Sequence, residues 1–193
     1  MPIIAMTANE KAYEQMSLQW GVIPILGKRL KTIKESFEIL SQIAMDRGYV
    51  SYGDLVVITA GTTFGIAGTT NMMVVENIGD VLVRGHDGIG QTTCGNVLLL
   101  VSPETLKPYM ARNRIILITR CDPSYKPFVK EAKGVILQNH ISDIESEKTL
   151  KTWAEQLEKP AIVRADGARR MLKDKQLITL DPQKALVYKG ATT

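Results

Sequence analysis

The chain has 193 residues, enough for one large hydrophobic core or two small ones. Apolar residues make up 45% of it and charged residues 23%, ordinary globular values that exclude extensive disorder. The net charge of +4 comes from 24 basic and 20 acidic residues without a long run of like charges, so the sequence predicts no nucleic-acid partner and no polybasic membrane patch.

The two cysteines, Cys94 and Cys121, are too few and too far apart for a disulfide framework or a cysteine-based metal site. The N-terminus lacks the charged and apolar segments of a secretion signal. No apolar run approaches the ~20 residues that cross a bilayer. We therefore expect a cytoplasmic protein with no membrane segment and no metal site.

The first 78 residues alternate short apolar runs with amphipathic segments. Phe37, Leu40 and Ile43 recur at helical spacing, and Gly48 is a typical helix stop. The run at 54–59 is continuously apolar, which is typical of a strand covered on both faces. Strands are predicted at residues 2–6, 21–26, 54–59 and 72–78. This alternation predicts an α/β domain of three layers with a mostly parallel sheet.

The first predicted helix carries a capping signal. Thr7 is followed three residues later by Glu10, which is the spacing of a capping box. The sequence therefore predicts Thr7 as the N-cap of this helix.

From about residue 79 the pattern changes to short apolar runs separated by turns and two possible helices. Gly85, Gly88 and Gly90, together with Asp87, mark a turn-rich start to this half. The apolar runs lie at residues 80–83, 95–101, 115–119, 134–137, 160–163, 177–180 and 185–188. They predict a smaller β-rich domain with helices packed on it, beginning between residues 78 and 85.

Three segments of the first 78 residues carry a family resemblance. They are PIIAMT at 2–7, SLQWGVIPIL at 17–26, and GDLVVITAG at 53–61 followed by GTTN at 68–71. In this order and spacing they resemble the C-terminal domain of pyruvate kinase. GDVLVRG at 79–85 and GIG at 88–90 resemble the extra C-terminal domain of some Gram-positive bacterial pyruvate kinases. That extra domain is similar to the swivelling phosphohistidine domain of phosphoenolpyruvate-utilising enzymes.

The resemblance implies an effector and tetramerisation domain over residues 1–78 and a phosphohistidine-like β/α swivelling domain over 79–193. In the family a separate (β/α)8 barrel, with Mg²⁺ and K⁺, transfers a phosphoryl group from phosphoenolpyruvate to ADP, giving ATP, in glycolysis. Nothing here resembles that barrel, so no catalytic residue and no cofactor are expected in this chain. The family domain has further elements before the segment at 2–7. We therefore expect the chain to begin inside the domain, with Met1 as an introduced start.

The glycine- and threonine-rich segment 59–71 is the main binding-site candidate. Glycines allow the backbone to approach a phosphate, and hydroxyls and N–H groups can donate to it. The resemblance implies that this is the effector loop, which binds a phosphorylated activator such as a sugar phosphate or AMP. The predicted effector-binding residues are Thr59, Gly61, Thr62, Thr63, Gly65, Gly68, Thr69, Thr70 and Asn71. A structural turn between two strands would use the same residues, and that alternative stays open.

In the swivelling domains that the second half resembles, a histidine within a Thr-Ser-His-Ala stretch carries the phosphoryl group. Counting forward from the strand at 134–137 places Glu145 at that position, and counting back from Pro160 places Thr149 there. His140 lies five residues too early and lacks the preceding glycines, so it is expected to be a surface or helix-cap residue. We therefore expect this domain to carry no phosphoryl group.

The remaining polar and aromatic candidates are expected to be structural. His86 and Asp87 stand beside Gly88, where an Asp-Gly turn explains them. The basic residues of the last third are typical of a solvated helix face; they are Arg169, Arg170, Lys173 and Lys175. Trp20 and Trp153 are expected in a core or at an interface.

Together these features predict the regulatory and assembly region of a pyruvate kinase. In the family the C-terminal domains meet across one interface of a homotetramer. The expected partners are therefore further copies of the chain and the catalytic barrel, with residues 72–78 and 30–47 as candidate contact elements. Two alternatives remain: a stand-alone phosphotransfer protein, and an interaction module without a ligand.

Overall fold

The polypeptide folds as two units, an N-terminal unit, Met1–Ile78, and a C-terminal unit, Gly79–Thr193. The computed structural model describes residues 3–28, 32–61 and 70–191.

The described part of the N-terminal unit contains helices and short strands in alternation, followed by a hairpin. In chain order the elements are β1 (Ile3–Thr7), α1 (Glu10–Ser17), β2 (Val22–Leu26), α2 (Ile33–Asp46), β3 (Leu55–Gly61) and β4 (Thr70–Asn77). β1 pairs with β2 in parallel, and β3 pairs with β4 antiparallel, so the unit holds two separate two-stranded sheets among its described residues. The α/β class predicted from the sequence is confirmed.

The burial of β3 differs from the expectation of a strand covered on both faces. Leu55 and Val57 are 63% and 62% exposed, whereas Val56 and Ile58, on the opposite face, are half-buried. β3 is one arm of an antiparallel hairpin, and such a pair can leave one of its faces to solvent. The apolar run therefore marks a strand with one open face.

The helix ends show how local hydrogen bonds set the boundaries. Asn9 is the N-cap of α1, since its Oδ1 accepts from the Ala12 N–H at 3.1 Å. The predicted N-cap at Thr7 is wrong because Thr7 is still paired with Leu26 in the β1–β2 sheet. Gly48 follows α2 with φ +71°, the left-handed stop that its position predicted.

The C-terminal unit is built on one eight-stranded sheet in the order β5-β12-β11-β7-β8-β9-β10-β6. Its elements are β5 (Val81–Arg84), β6 (Asp87–Ile89), β7 (Thr93–Leu99), β8 (Arg114–Ile118), α3 (Lys126–Glu131), β9 (Gly134–Leu137), α4 (Ile144–Gln156), β10 (Ala161–Val163), α5 (Ala168–Met171), β11 (Leu177–Asp181) and β12 (Leu186–Lys189). β7 to β10 are parallel neighbours, and the outer strands are antiparallel. Each predicted apolar run is a strand, while β6 was expected as a turn.

The parallel strands at the centre are buried on both faces, as their continuous apolar sequences require. Ile116 and Val135 face a core that includes Leu150 and Trp153 of α4. The alternate residues of these strands face a second core, which includes Ala168 of α5. Because both faces of these strands are packed, the loops that follow them start from fixed positions.

A single segment, residues 81–89, ties the two ends of the sheet together. The Gly85 N–H donates to Ala185 O at 2.7 Å, and the next N–H, of His86, donates to Val163 O at 3.0 Å. A Cβ at Gly85 would overlap Ile162 Cγ2 and lie 2.9 Å from Val163 O. Glycine is needed here because the backbone passes directly against β10.

Candidate functional site

The structure places four of the predicted effector-binding residues at the open end of the β3–β4 hairpin. Thr59 and Gly61 end β3, and Thr70 and Asn71 begin β4, with Gly61 paired to Thr70. The other five lie outside the described residues: Thr62, Thr63, Gly65, Gly68 and Thr69. The candidate loop is thus the connection of a β-hairpin.

The base of this connection has an irregular register. Ala60 pairs with Met72 but Gly61 pairs with Thr70, so the register skips Asn71. Such a bulge bends a strand and re-aims the neighbouring side chains. Thr59, Thr70 and Asn71 are exposed. Two hydroxyls and an amide therefore stand beside the connection, which is compatible with effector binding and equally with a structural turn.

The positions compared with a phosphohistidine lie on or before α4. Asp143 is the N-cap of this helix and accepts from the Ser146 N–H at 3.1 Å. Glu145 is exposed in the first turn, and Thr149 is half-buried one turn later. His140 is exposed, and its Nδ1 lies 2.7 Å from Ser142 Oγ within the same loop. Neither Glu145 nor Thr149 has the imidazole of a phosphoryl carrier.

Asp87 and three charged side chains that the sequence did not single out form a chain of ion pairs. Lys151 Nζ lies 2.8 Å from Asp87 Oδ2 and donates to Glu147 Oε1 at 2.8 Å. Arg164 Nε in turn lies 2.9 Å from Glu147 Oε2. The Asp87 carboxylate also accepts from the Gly88 N–H at 2.8 Å, so Asp87 belongs to β6 and this network and not to a turn. The network joins β6, α4 and the residue after β10.

The pKa values of this network follow from the pairing. Burial works to raise the pKa of Glu147, but the hydrogen bond and charge of Lys151, together with Arg164, outweigh it and leave that pKa below its ordinary value. The hydrogen bond from Lys151 and then the Gly88 N–H lower the pKa of Asp87. Burial opposes the charge of Lys151, yet its two carboxylate partners raise its pKa. Glu147, Asp87 and Lys151 are therefore charged at neutral pH.

Asn139 organises the loops on the carboxyl side of β9 and β10. It is 3% exposed, and its Nδ2 donates to His140 O at 3.3 Å and Asp143 O at 3.0 Å. Its Oδ1 accepts from the Arg164 N–H at 2.9 Å. Arg164 has φ +48°, a left-handed conformation that is uncommon for a residue with a side chain. The Asn139 side chain, in the loop after β9, therefore holds the backbone at Arg164, directly after β10.

These loops line a cavity of about 320 Å³, which we call the C-terminal cavity. Its walls are Arg84, Gly85 and His86 from the β5–β6 connection, Asn139 and Ile141 after β9, and Arg164 and Asp166 after β10. In sheets of this kind, ligands bind outside the carboxyl ends of parallel strands. That rule was the signal that could have found Asn139 and Arg164, since Arg164 follows β10 directly and Asn139 lies two residues after the end of β9.

The other candidates occupy plainer environments. Trp153 is 8% exposed in the core, whereas Trp20 is fully exposed, so of the two only Trp153 is a core residue. Burial raises the pKa of the Cys121 thiol to about 12, which makes it a poor nucleophile. Arg169 and Arg170 are exposed on α5. Within residues 3–28, 32–61 and 70–191, no three His, Cys, Asp or Glu residues gather as a metal site would need.

No helix in the part of the chain that the structure describes is long and apolar enough to cross a membrane.

Comparison with known proteins identifies the N-terminal unit. Residues 1–76 match the family described as "Pyruvate kinase, alpha/beta domain". This stretch therefore resembles a pyruvate kinase alpha/beta domain. The predicted resemblance is thereby confirmed.

The similarity continues through the C-terminal unit. The chain is 31% identical to pyruvate kinase of Lactobacillus delbrueckii subsp. bulgaricus, over 97% of this chain and 31% of that protein. It is 31% identical to pyruvate kinase of Sporosarcina psychrophila, over 98% of this chain and 32% of that protein. The chain is similar to bacterial pyruvate kinases over almost all of its own length and spans about a third of the length of these relatives.

Solved structures show weaker likeness. Aconitase X of Thermococcus kodakaraensis, in its holo form, has a TM-score of 0.40 at 15% identity, covering 56% of this chain and 98% of that one. An Enzyme I solution structure has a TM-score of 0.36 at 19% identity, covering 48% of this chain and 35% of that one. Likenesses at this level carry no functional meaning.

Proposed function

We propose that this chain is the regulatory and assembly region of a bacterial pyruvate kinase, which binds a phosphorylated effector through residues 59–71 and performs no catalysis itself. The observation that carries the proposal is the match of residues 1–76 to the pyruvate kinase alpha/beta domain, extended by relatives that cover 97% of the chain. The parent enzyme would transfer a phosphoryl group from phosphoenolpyruvate to ADP in the cytoplasm. Its catalytic barrel would be a partner of this chain.

Effector binding is supported by the stems of the β3–β4 hairpin. Thr59 and Thr70 are exposed on the two sides of the connection, and the extra residue Asn71 forms a bulge, which bends a strand. An effector acts on a distant active site only by binding one arrangement of the parent enzyme better than another. An effector bound at the connection can favour one position of the β3–β4 hairpin. It can thereby favour one packing of the parts of the parent enzyme that contact this hairpin.

Assembly is supported by an exposed apolar surface on the same hairpin, which we call the hairpin face. It consists of side chains that project from one side of β3 and β4, at 56–71% exposure: Leu55, Val57, Met73 and Val75. Val57 and Val75 are directly paired, so these side chains are contiguous. Contiguous exposed apolar surface marks an interaction site, and a further copy of the chain is the partner proposed here.

A thermal-shift measurement tests the effector proposal. At ~100 times its dissociation constant, a ligand of the folded state adds about 2.7 kcal/mol to the free energy of unfolding. AMP should therefore raise the melting temperature of the full chain. The double variant Thr59→Val, Thr70→Val should lose that rise, and Thr152→Val, an exposed threonine of α4, should keep it. A rise that survives the double variant, or no rise in the wild type, would refute binding through this loop.

A further inference from the structure

We propose that the C-terminal cavity binds a small hydroxylated organic phosphate, at a site separate from residues 59–71. All of the residues that line this cavity belong to the C-terminal unit.

The position and size of the cavity fit a ligand site. β9 and β10 are parallel, and the cavity lies where the loops at their carboxyl ends begin. Its volume of about 320 Å³ falls at the lower end of the ~300–1,000 Å³ range of small-molecule pockets. A compact metabolite therefore fits, and a large nucleotide does not.

The charges on its walls define the ligand. Arg84 and Arg164 supply two guanidinium groups, which present donors in the planar fork that suits a phosphate group. His86, two residues after Arg84, adds a ring nitrogen to the walls. Asp166 is the one carboxylate among the lining residues, and it can accept hydrogen bonds from hydroxyl groups while repelling a second anionic group. These walls favour a ligand with one phosphate and several hydroxyls, such as a pentose phosphate.

The cavity is ordered before a ligand arrives. Glu147 engages Nε and Nη2 of Arg164, at 2.9 and 3.4 Å, and so fixes one edge of the guanidinium. Asn139 fixes the Arg164 backbone, and Lys151 fixes Glu147. A side chain that is already held in place loses less conformational entropy on binding. Arg164 is thus already positioned to bind an anion. Glu147 contacts its Nε and Nη2, which leaves Nη1 as a donor for the ligand.

Isothermal titration of the full chain tests this site with ribose 5-phosphate, inorganic phosphate and ribose as probes. Ribose 5-phosphate should bind, and ribose, which lacks the phosphate, should not. Arg84→Gln should weaken binding of ribose 5-phosphate by about fivefold or more. Asp166→Asn should tighten binding of inorganic phosphate by about two- to fivefold, because a repelling charge is removed. Weaker binding in Arg84→Gln together with tighter binding in Asp166→Asn would show that the phosphate binds in the C-terminal cavity, between these two walls.

Two substitutions outside the cavity, each removing the same charge as one of the variants above, serve as controls. Arg112 lies two residues before β8 and Glu155 lies near the carboxyl end of α4, and neither Arg112→Gln nor Glu155→Gln should change binding. Equal weakening by Arg84→Gln and Arg112→Gln, or no binding of ribose 5-phosphate at ~20 mM, would overturn the proposal. Binding that is lost only in Thr59→Val, Thr70→Val would place the ligand at the hairpin connection, refuting this site while leaving the proposed function intact.

Discussion

The side chain of Asn139 and the backbone of Arg164 are joined by a hydrogen bond of 2.9 Å, although 25 residues separate them in the chain. This bond connects the carboxyl ends of β9 and β10 and holds Arg164 in its left-handed conformation. Both donor hydrogens and the acceptor oxygen of a buried amide are used. The shape of the C-terminal cavity therefore depends on one asparagine.

Replacing Asn139 by Ala should destabilise the C-terminal unit by about 1–3 kcal/mol, because buried carbonyls and an N–H lose their partner. Urea unfolding followed by Trp153 fluorescence measures this, since Trp153 is buried in the same unit. The control is Asn96→Ala, an exposed asparagine of β7, which should change stability by less than about 0.5 kcal/mol. Equal effects of the two variants would contradict the role assigned to Asn139.

Replacing Gly85 by Ala should destabilise the same unit by about 1–3 kcal/mol through overpacking against β10. Gly95→Ala is the matched control, because its new methyl would meet Ile115 Cγ1 at 3.3 Å, a side-chain contact that can adjust. The midpoint of urea unfolding should fall clearly further for Gly85→Ala than for Gly95→Ala. If both variants unfold at the wild-type midpoint, β10 does not lie against Gly85.

The Glu147 ion pairs should make the C-terminal unit acid-sensitive. The pKa of Glu147 is lowered on folding, so below the ordinary value of about 4.3 the unfolded chain binds more protons. The stability that the pairs supply is present above that pH and is lost as the pH falls through the lower pKa of the folded state. Urea midpoints measured between about pH 6 and pH 3 report this loss.

The variant Glu147→Gln should show a shallower fall in stability over the same acid range, and should be less stable at neutral pH by about 1–3 kcal/mol. Glu145→Gln, an exposed residue in the same turn of α4, should keep the wild-type acid profile. Identical profiles for wild type and Glu147→Gln would show that the network does not couple stability to pH.

The hairpin face should mediate self-association. Val75→Asp places a charge in the centre of that face and should shift the chain towards monomer in light-scattering mass measurements, because burying an unpaired carboxylate is costly. Val101→Asp is the control, since Val101 is 60% exposed in the C-terminal unit. Should Val75→Asp and the wild type have the same mass while the wild type is oligomeric, the interface lies elsewhere.

The C-terminal unit should not carry a phosphoryl group. Incubation with labelled phosphoenolpyruvate should leave no acid-labile, base-stable label on His86 or His140, the chain's two histidines. His140 is held by Ser142 in its own loop, and His86 is held by its N–H to β10. Label on either histidine that His→Gln removes would establish the phosphotransfer alternative instead.

Local signals predicted much of this structure, and pairings between distant residues were the part that the sequence concealed. The strand β8 could be predicted because a strand buried on both faces has a continuous apolar sequence. The end of α2 could be predicted from Gly48, a residue that commonly ends helices. Thr7 was mistaken for a helix cap because its role is decided by pairing with Leu26. The C-terminal cavity was missed because it too depends on a pairing between distant residues. The sequence around Asn139 does not indicate that its side chain binds the backbone of Arg164.

An NMR titration of the full chain with ribose 5-phosphate and AMP tests most directly whether an effector binds at residues 59–71. We expect saturable shifts in the backbone amides at the stems of the hairpin connection, which are those of Thr59, Ala60, Gly61, Thr70 and Asn71. Signals of Arg84, His86 and Asn139 report separately on the C-terminal cavity. If the hairpin amides stay unchanged at ~20 mM of both ligands, the chain does not bind an effector through residues 59–71.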